Sequence, residues 1–248
     1  TLAMYCYNEM FNGCTSLKEL HIEDGTDVLS LGHNEYIKNN ASTTGKGLFY
    51  ECPLETLYLG RNLSYDTDSY YGYSPFAYVK TLKSVNFGKA CTSIPALLFY
   101  NCGTIISLTI PASVLNITSD AFTGTTSIKT FFLGNTRPEG YSSAKGTMNY
   151  VSSVTNYGFG TEYTNLSSMF EVGGVKYVLV SAKDRCCDVV DCIYNYSARD
   201  ILIDSLVTYR NIKLKVRNVN DYALYDNEKM QDATVKNNGT IGQYAFYG

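Results

Sequence analysis

The chain has 248 residues, a formal net charge of −3, 45% hydrophobic and 17% charged residues, 23 Tyr, 2 His and no Trp. This balance suits one or two packed domains and excludes a disordered chain, and the weak net charge gives no pull toward nucleic acid or an anionic membrane. No apolar run approaches the roughly 20 residues a transmembrane helix needs.

The first pattern begins at Phe11. Apolar residues fall at offsets +3, +6, +9 and +11, giving Cys14, Leu17, Leu20 and Ile22. The next copy, Phe49, Cys52, Leu54, Leu57 and Leu59, is one residue short after Cys52, beside Pro53. Full copies follow as Phe76, Val79, Leu82, Val85, Phe87, then Phe99, Cys102, Ile105, Leu108, Ile110, then Phe122, Thr125, Ile128, Phe131, Leu133. A last copy reads Leu224, Asn227, Met230, Ala233, Val235. Of the 25 positions in the five full copies 23 are apolar, against about 11 expected at this composition. A second apolar position, Ile94, Ile117, Val219 or Ile241, stands five residues before the aromatic or leucine. The L-x-I end alternates with period two and predicts a short strand, whereas A-F-x-x-C-x-x-L has period three to four and predicts a helical turn or short helix. One unit cannot bury its apolar side alone, so stacked units are expected to share a continuous core.

The composition changes after the Phe122 copy. Residues 135–169, rich in Gly, Ser, Thr, Asn and Tyr, read as a linker or irregular connection. Phe170 to Val180 reads as two strands around Gly173-Gly174, and strand-like runs follow at 186–194, 200–204 and 212–216. The expected organisation is a repeat array over 1–134, the connection over 135–169, a β-rich cap over 170–216 and the start of a second array over 217–248. Thr1 and Gly248 both fall inside what reads as a repeat, so the ends look cut and absent targeting signals say nothing.

The unit resembles the BspA-like leucine-rich repeat family of bacterial, Bacteroides-type cell-surface proteins. The resemblance rests on Ile110-Pro111-Ala112-Ser113-Val114 with Ile117 and Ala121-Phe122, and on Ile241-Gly242-Gln243-Tyr244-Ala245-Phe246. It implies an α/β solenoid, a leucine-rich repeat array of short parallel strands joined by short helices or turns, with the β-rich cap as an addition. It also implies export to the cell surface, the periplasm or the medium, and a recognition or adhesion role toward a host or bacterial surface protein or glycan. The runner-up is a structural spacer for another domain of a larger surface protein. No cofactor, no nucleic-acid partner and no membrane span in this stretch are expected, and the chain is expected to be monomeric.

Catalytic and metal chemistry find little purchase. Eight cysteines contain no C-x-x-C pair, and with two His a zinc site is not expected. Cys14, Cys52 and Cys102 share one repeat slot and read as buried free thiols. Cys187 and Cys192, five apart, would face opposite ways on one strand, so a disulfide among Cys186, Cys187 and Cys192 would need a turn. His21 and His33 are the candidate bases, and neither sits in a triad motif. Asp66, Asp68 and Gly72 fit a calcium loop poorly, because Ala77 holds the position that needs Glu. Asn-x-Ser/Thr sites and Asp204-Ser205-Leu206 are weak glycosylation patterns.

The binding surface is expected on the outer side of the strands. Two outward columns are predicted, Glu19, Thr56, Ser84, Ser107, Thr130 and His21, Tyr58, Asn86, Thr109, Phe132. Tyr58 and Phe132 would be the aromatic anchors. A tyrosine-rich insert, with Tyr65, Tyr70, Tyr71 and Tyr73, is a second candidate. The core beneath would be built by Phe11, Cys14, Leu17, Phe49, Cys52, Phe76, Phe99, Cys102 and Phe122.

Overall fold

A computed structural model describes residues 10–31, 48–65, 74–118, 120–133, 161–163, 169–181, 183–193 and 200–248. The chain divides into two compact units, Thr1–Thr164 and Asn165–Gly248. Among the described residues there are strands and turns but no helix.

In the first unit each repeat contributes one strand to a parallel sheet. The strands are β1 (Glu19–Ile22), β3 (Thr56–Leu59), β5 (Ser84–Phe87), β7 (Gly103–Ile110), β9 (Thr125–Phe132) and β10 (Thr161–Tyr163), in that spatial order. Leu20, Leu57, Val85 and Leu108 are in register across the first four. The second apolar position forms minor ladders: β2 (Leu29–Ser30) pairs with β4 (Leu63–Ser64), and β6 (Ser93–Ile94) with β8 (Asn116–Ile117). Thr161–Tyr163 falls within the stretch read from the sequence as a connection; the rest of that stretch lies almost wholly outside the described residues.

The phenylalanines form a continuous stack. Ring centroids are 5.0 Å apart for Phe11 and Phe49, 5.1 Å for Phe49 and Phe76, 6.0 Å for Phe76 and Phe99, and 5.4 Å for Phe99 and Phe122. Phe49, Phe76, Phe99, Phe122, Cys52 and Cys102 are buried, and Phe11, Cys14 and Leu17 pack against them half-exposed. Each unit reaches its inner surface only through the next, as the repeat argument requires.

The segment after each phenylalanine is a turn rather than a short helix. The residue two positions on is left-handed in every copy: Gly13 (φ 71), Glu51 (φ 61), Tyr78 (φ 64), Asn101 (φ 53), Gly124 (φ 71) and, after Leu224, Asp226 (φ 52). A left-handed residue stops a right-handed helix. Its N–H turns to the neighbouring repeat instead, as Tyr78 to the Tyr100 carbonyl (2.9 Å) and Asn101 to the Thr123 carbonyl (2.8 Å). Period three to four is thus met by single turns tied sideways.

In three units the cysteine slot holds a donor. Cys52 Sγ donates to the Phe11 carbonyl (2.7 Å) and Cys102 Sγ to the Phe76 carbonyl (3.0 Å), each in the preceding repeat. Thr125 Oγ1 donates to the Phe99 carbonyl in the same way. Cys91, outside the slot, donates to the Leu59 carbonyl at 3.0 Å.

One register differs from the sequence reading. Phe99 and Phe122 are 23 residues apart, but Gly103 pairs with Thr125 and Ile110 with Phe132, 22 apart. The Phe122 unit is therefore one residue short, like the Phe49 unit, because its turn enters the strand directly at Thr125. Lys129 then stands beside Ser107, and Phe131 beside Thr109. Thr130 and Phe132 leave the predicted outward columns and fall in line with Leu108 and Ile110.

The second unit contains a mixed five-stranded sheet in the order β11 (Met169–Val172), β12 (Val175–Ser181), β13 (Cys186–Cys192), β16 (Ile212–Val219), β15 (Leu206–Tyr209). Gly173 (φ 59) and Gly174 (φ 75) make the hairpin turn between β11 and β12. β13 is buried along its whole length and lies parallel to β16. Phe170 of β11 stacks on Tyr209 of β15 with centroids 4.3 Å apart, so the sheet curls until its two edge strands touch. Asp191, fully buried, pairs with Lys176 Nζ at 3.0 Å. The repeat resumes here as a parallel pair, β14 (Asp200–Ile203) with β17 (Asp232–Val235), and as a bridge from Val219 to Ile241.

Candidate functional site

The outer face of the first sheet changes along the array. At the β1 edge Glu19 and His21 are exposed, and Thr56, Tyr58 and Asn86 are half-buried. Further along, Ser84, Ser107, Thr109, Lys129 and Phe131 are all buried, with Lys129 and Phe131 at 0% exposure. The accessible part of the predicted columns is therefore Glu19, His21, Thr56, Tyr58 and Asn86. Of the predicted anchors Tyr58 lies on it, and Phe132 does not share its column.

His21 and Tyr58 lie face to face, with centroids 4.4 Å apart and planes 12° from parallel. Their registry makes this inevitable, because His21 and Tyr58 are direct neighbours across the parallel pair β1 and β3. The Tyr58 hydroxyl donates to Asp24 Oδ1 at 2.9 Å. Desolvation, then the Asp24 carboxylate that accepts this bond, push the phenol up to about 12. Arg61 closes the end of the group: its Nε donates to the Glu23 carbonyl at 2.9 Å and its Nη2 to the Asp24 carbonyl at 3.3 Å. Lys18 Nζ and Glu55 Oε1, 2.8 Å apart, add an exposed pair beside it. On Gly88 a Cβ would run into the Asp24 carboxylate and come within 2.7 Å of the Gly60 Cα, so glycine there lets Asp24 fold back over the strand ends.

Asp24, Arg61 and Gly88 were not among the residues singled out from the sequence. A signal existed in the glycine that follows the strand in Leu59-Gly60 and Phe87-Gly88. His33, Asp66, Asp68, Gly72, Tyr70, Tyr71 and Tyr73 lie outside the described residues. Tyr65, the described member of the tyrosine-rich insert, turns inward and donates to the Ala96 carbonyl at 2.8 Å. Cys186, Cys187 and Cys192 are buried on β13, and no disulfide joins them to one another. Burial pushes the Cys187 thiol up to about 12. Among the described residues no group of three or more His, Cys, Asp or Glu could hold a metal ion.

A family model, the BspA type leucine rich repeat region, matches residues 4–129, 43–168 and 199–248 with 6 copies. The chain belongs to this family. No curated protein and no solved structure matches the chain. BspA-type repeats form a non-enzymatic, protein-binding class of module, and proteins that carry them are generally extracellular or surface proteins of bacteria. The match over 199–248 includes Ile201 and Ile203, whose partners across β14 and β17 are Ala233 and Val235. Among the described residues no helix is long and apolar enough to cross a membrane.

Proposed function

We propose that the chain is a cell-surface recognition or adhesion module that holds a protein or glycan partner on the outer face of its first BspA-type array. The observation that supports this reading is the accessible group His21, Tyr58 and Asp24, where stacked rings, a carboxylate and polar neighbours meet on a rigid sheet. Rings on a preformed surface bind at small entropic cost, and the carboxylate adds direction through hydrogen bonds. Contact concentrates on Glu19, His21, Thr56, Tyr58 and Asn86, with Ser84 and Thr109 as the floor.

The test is a screen of glycan and surface-protein arrays with the intact chain, followed by His21→Ala and Tyr58→Ala. Tyr58→Ala weakens a true partner by at least about tenfold, as an interface anchor does. If neither substitution weakens a partner found this way, the sheet-face reading fails. Arrays that yield nothing favour the second reading, a structural spacer, which the buried outer face of β7 and β9 supports.

A further inference from the structure

The curled sheet of the second unit leaves an open pocket of about 270 Å³, lined by Met169, Phe170, Leu179, Tyr209, Arg210, Ile212 and Leu214. Its size approaches the roughly 300 Å³ at which small-molecule sites begin. Phe170 and Tyr209 stack where the two edge strands meet, and Leu179 and Leu214 line the pocket with them. Ile212, half of whose surface is exposed (50%), and Met169 leave apolar surface at the mouth.

One charge stands among these apolar groups. The Arg210 guanidinium carbon lies 5.2 Å from the centre of the Tyr209 ring, held over its face. No ion pair joins Arg210 to any described carboxylate. The turn it occupies is unusual. Arg210 (φ 47) and Asn211 (φ 63) are both left-handed, the geometry of a two-residue hairpin turn that favours Asn-Gly or Asp-Gly. A long cationic side chain at the first of these positions costs backbone strain that the hairpin alone does not require.

We propose that this pocket binds a small amphipathic carboxylate, with its hydrocarbon or aryl tail between Phe170, Leu179 and Leu214 and its carboxylate paired with Arg210. The lining favours an anion over a cation because Arg210 is the sole charged residue among the described residues that form it. It favours an apolar tail over a sugar because the inner wall offers few hydrogen-bonding groups. The site is independent of the sheet face of the first array.

The experiment uses the whole chain with ¹³C-methyl-labelled methionine, titrated with 4-phenylbutyrate and, separately, with 4-phenylbutanol. The Met169 methyl signal, assigned with Met169→Leu, shifts saturably with the acid, while that of Met230 stays in place. The alcohol binds about tenfold more weakly, as the loss of a charge-assisted pair requires. Arg210→Gln lowers affinity for the acid to that for the alcohol; because Arg210 is exposed, the variant keeps the Met230 signal of the folded chain. A Met169 signal that never moves overturns the proposal. Equal affinity for acid and alcohol, or an unchanged affinity in Arg210→Gln, overturns it too.

Discussion

The two ends of the six-stranded sheet share one inner face and differ on the outer one. Beneath both runs the same stack, from Phe11 to Phe122, with rings 5.0–6.0 Å apart. Outside, His21 and Tyr58 meet solvent at one end, while Lys129 and Phe131 are sealed at the other. The difference separates two kinds of instruction. The inner face is set by a period that every unit must obey, since each buries its apolar side only against a neighbour. The outer face is set unit by unit, through register and through residues that do not repeat.

The largest effect tests the shared face against the sealed one. Phe99→Ala removes a ring that stacks on both sides, at 6.0 Å and 5.4 Å. It should cost about 3–5 kcal/mol in urea unfolding. Phe131→Ala should cost a similar amount, because Phe131 is as fully buried although it lies on the other face. A loss below about 1 kcal/mol for Phe131→Ala would mean that this end lacks a second packed layer.

This contrast also explains what could be read from residues alone. The apolar offsets identify the repeat, its strands and its core, because burial repeats with them. They mislead at Phe122, where Ile128 and Phe131 satisfy the expected offsets although the strand has slipped by one residue. A slip of one exchanges the faces, which is why Phe131 stands beside Thr109 and position 132 pairs with Ile110. Of the two expected forms, short helix or turn, the described residues take the turn, for a local reason. Gly13 and Gly124 advertise a left-handed φ and Asn101 and Asp226 advertise it more weakly, whereas Glu51 and Tyr78 take it without any such signal. The curl of the second sheet depends on Phe170 meeting Tyr209, a pair 39 residues apart that no short-range pattern marks.

A middle-sized effect isolates the donor slot. Cys102→Val keeps the size of a side chain the slot already accepts at Val79, but removes the bond to the Phe76 carbonyl. Cys102→Thr keeps a donor, as Thr125 does one repeat later. The valine variant should be less stable than the threonine variant by about 0.5–1.5 kcal/mol. The thiol also sets a pH dependence. Burial pushes Cys102 up from 9.0 to about 12. Below pH 9 folded and unfolded thiols are both protonated and contribute no slope. Above it the unfolded thiol ionises first, so stability falls as pH rises from 9 toward 12. Cys102→Val should flatten that part of the decline, measured as the denaturation midpoint at pH 8 and pH 10.5.

The smallest effect on stability belongs to the open end, and it carries the sharpest statement about function. Tyr58→Phe removes the hydroxyl that donates to Asp24 and leaves the ring on His21. Because the group is partly solvated, the change should stay within about 0.5 kcal/mol. Asp24→Asn should fall in the same range, and the double variant should show a coupling of similar size, since the two side chains share one bond. A residue placed for packing would show its importance in these numbers. Tyr58 should instead show it in partner affinity, where Tyr58→Ala costs at least about tenfold while the fold hardly responds. If Tyr58→Ala destabilised the chain as much as Phe99→Ala, the two ends would not differ in kind, and the exposed stack would be an extension of the core.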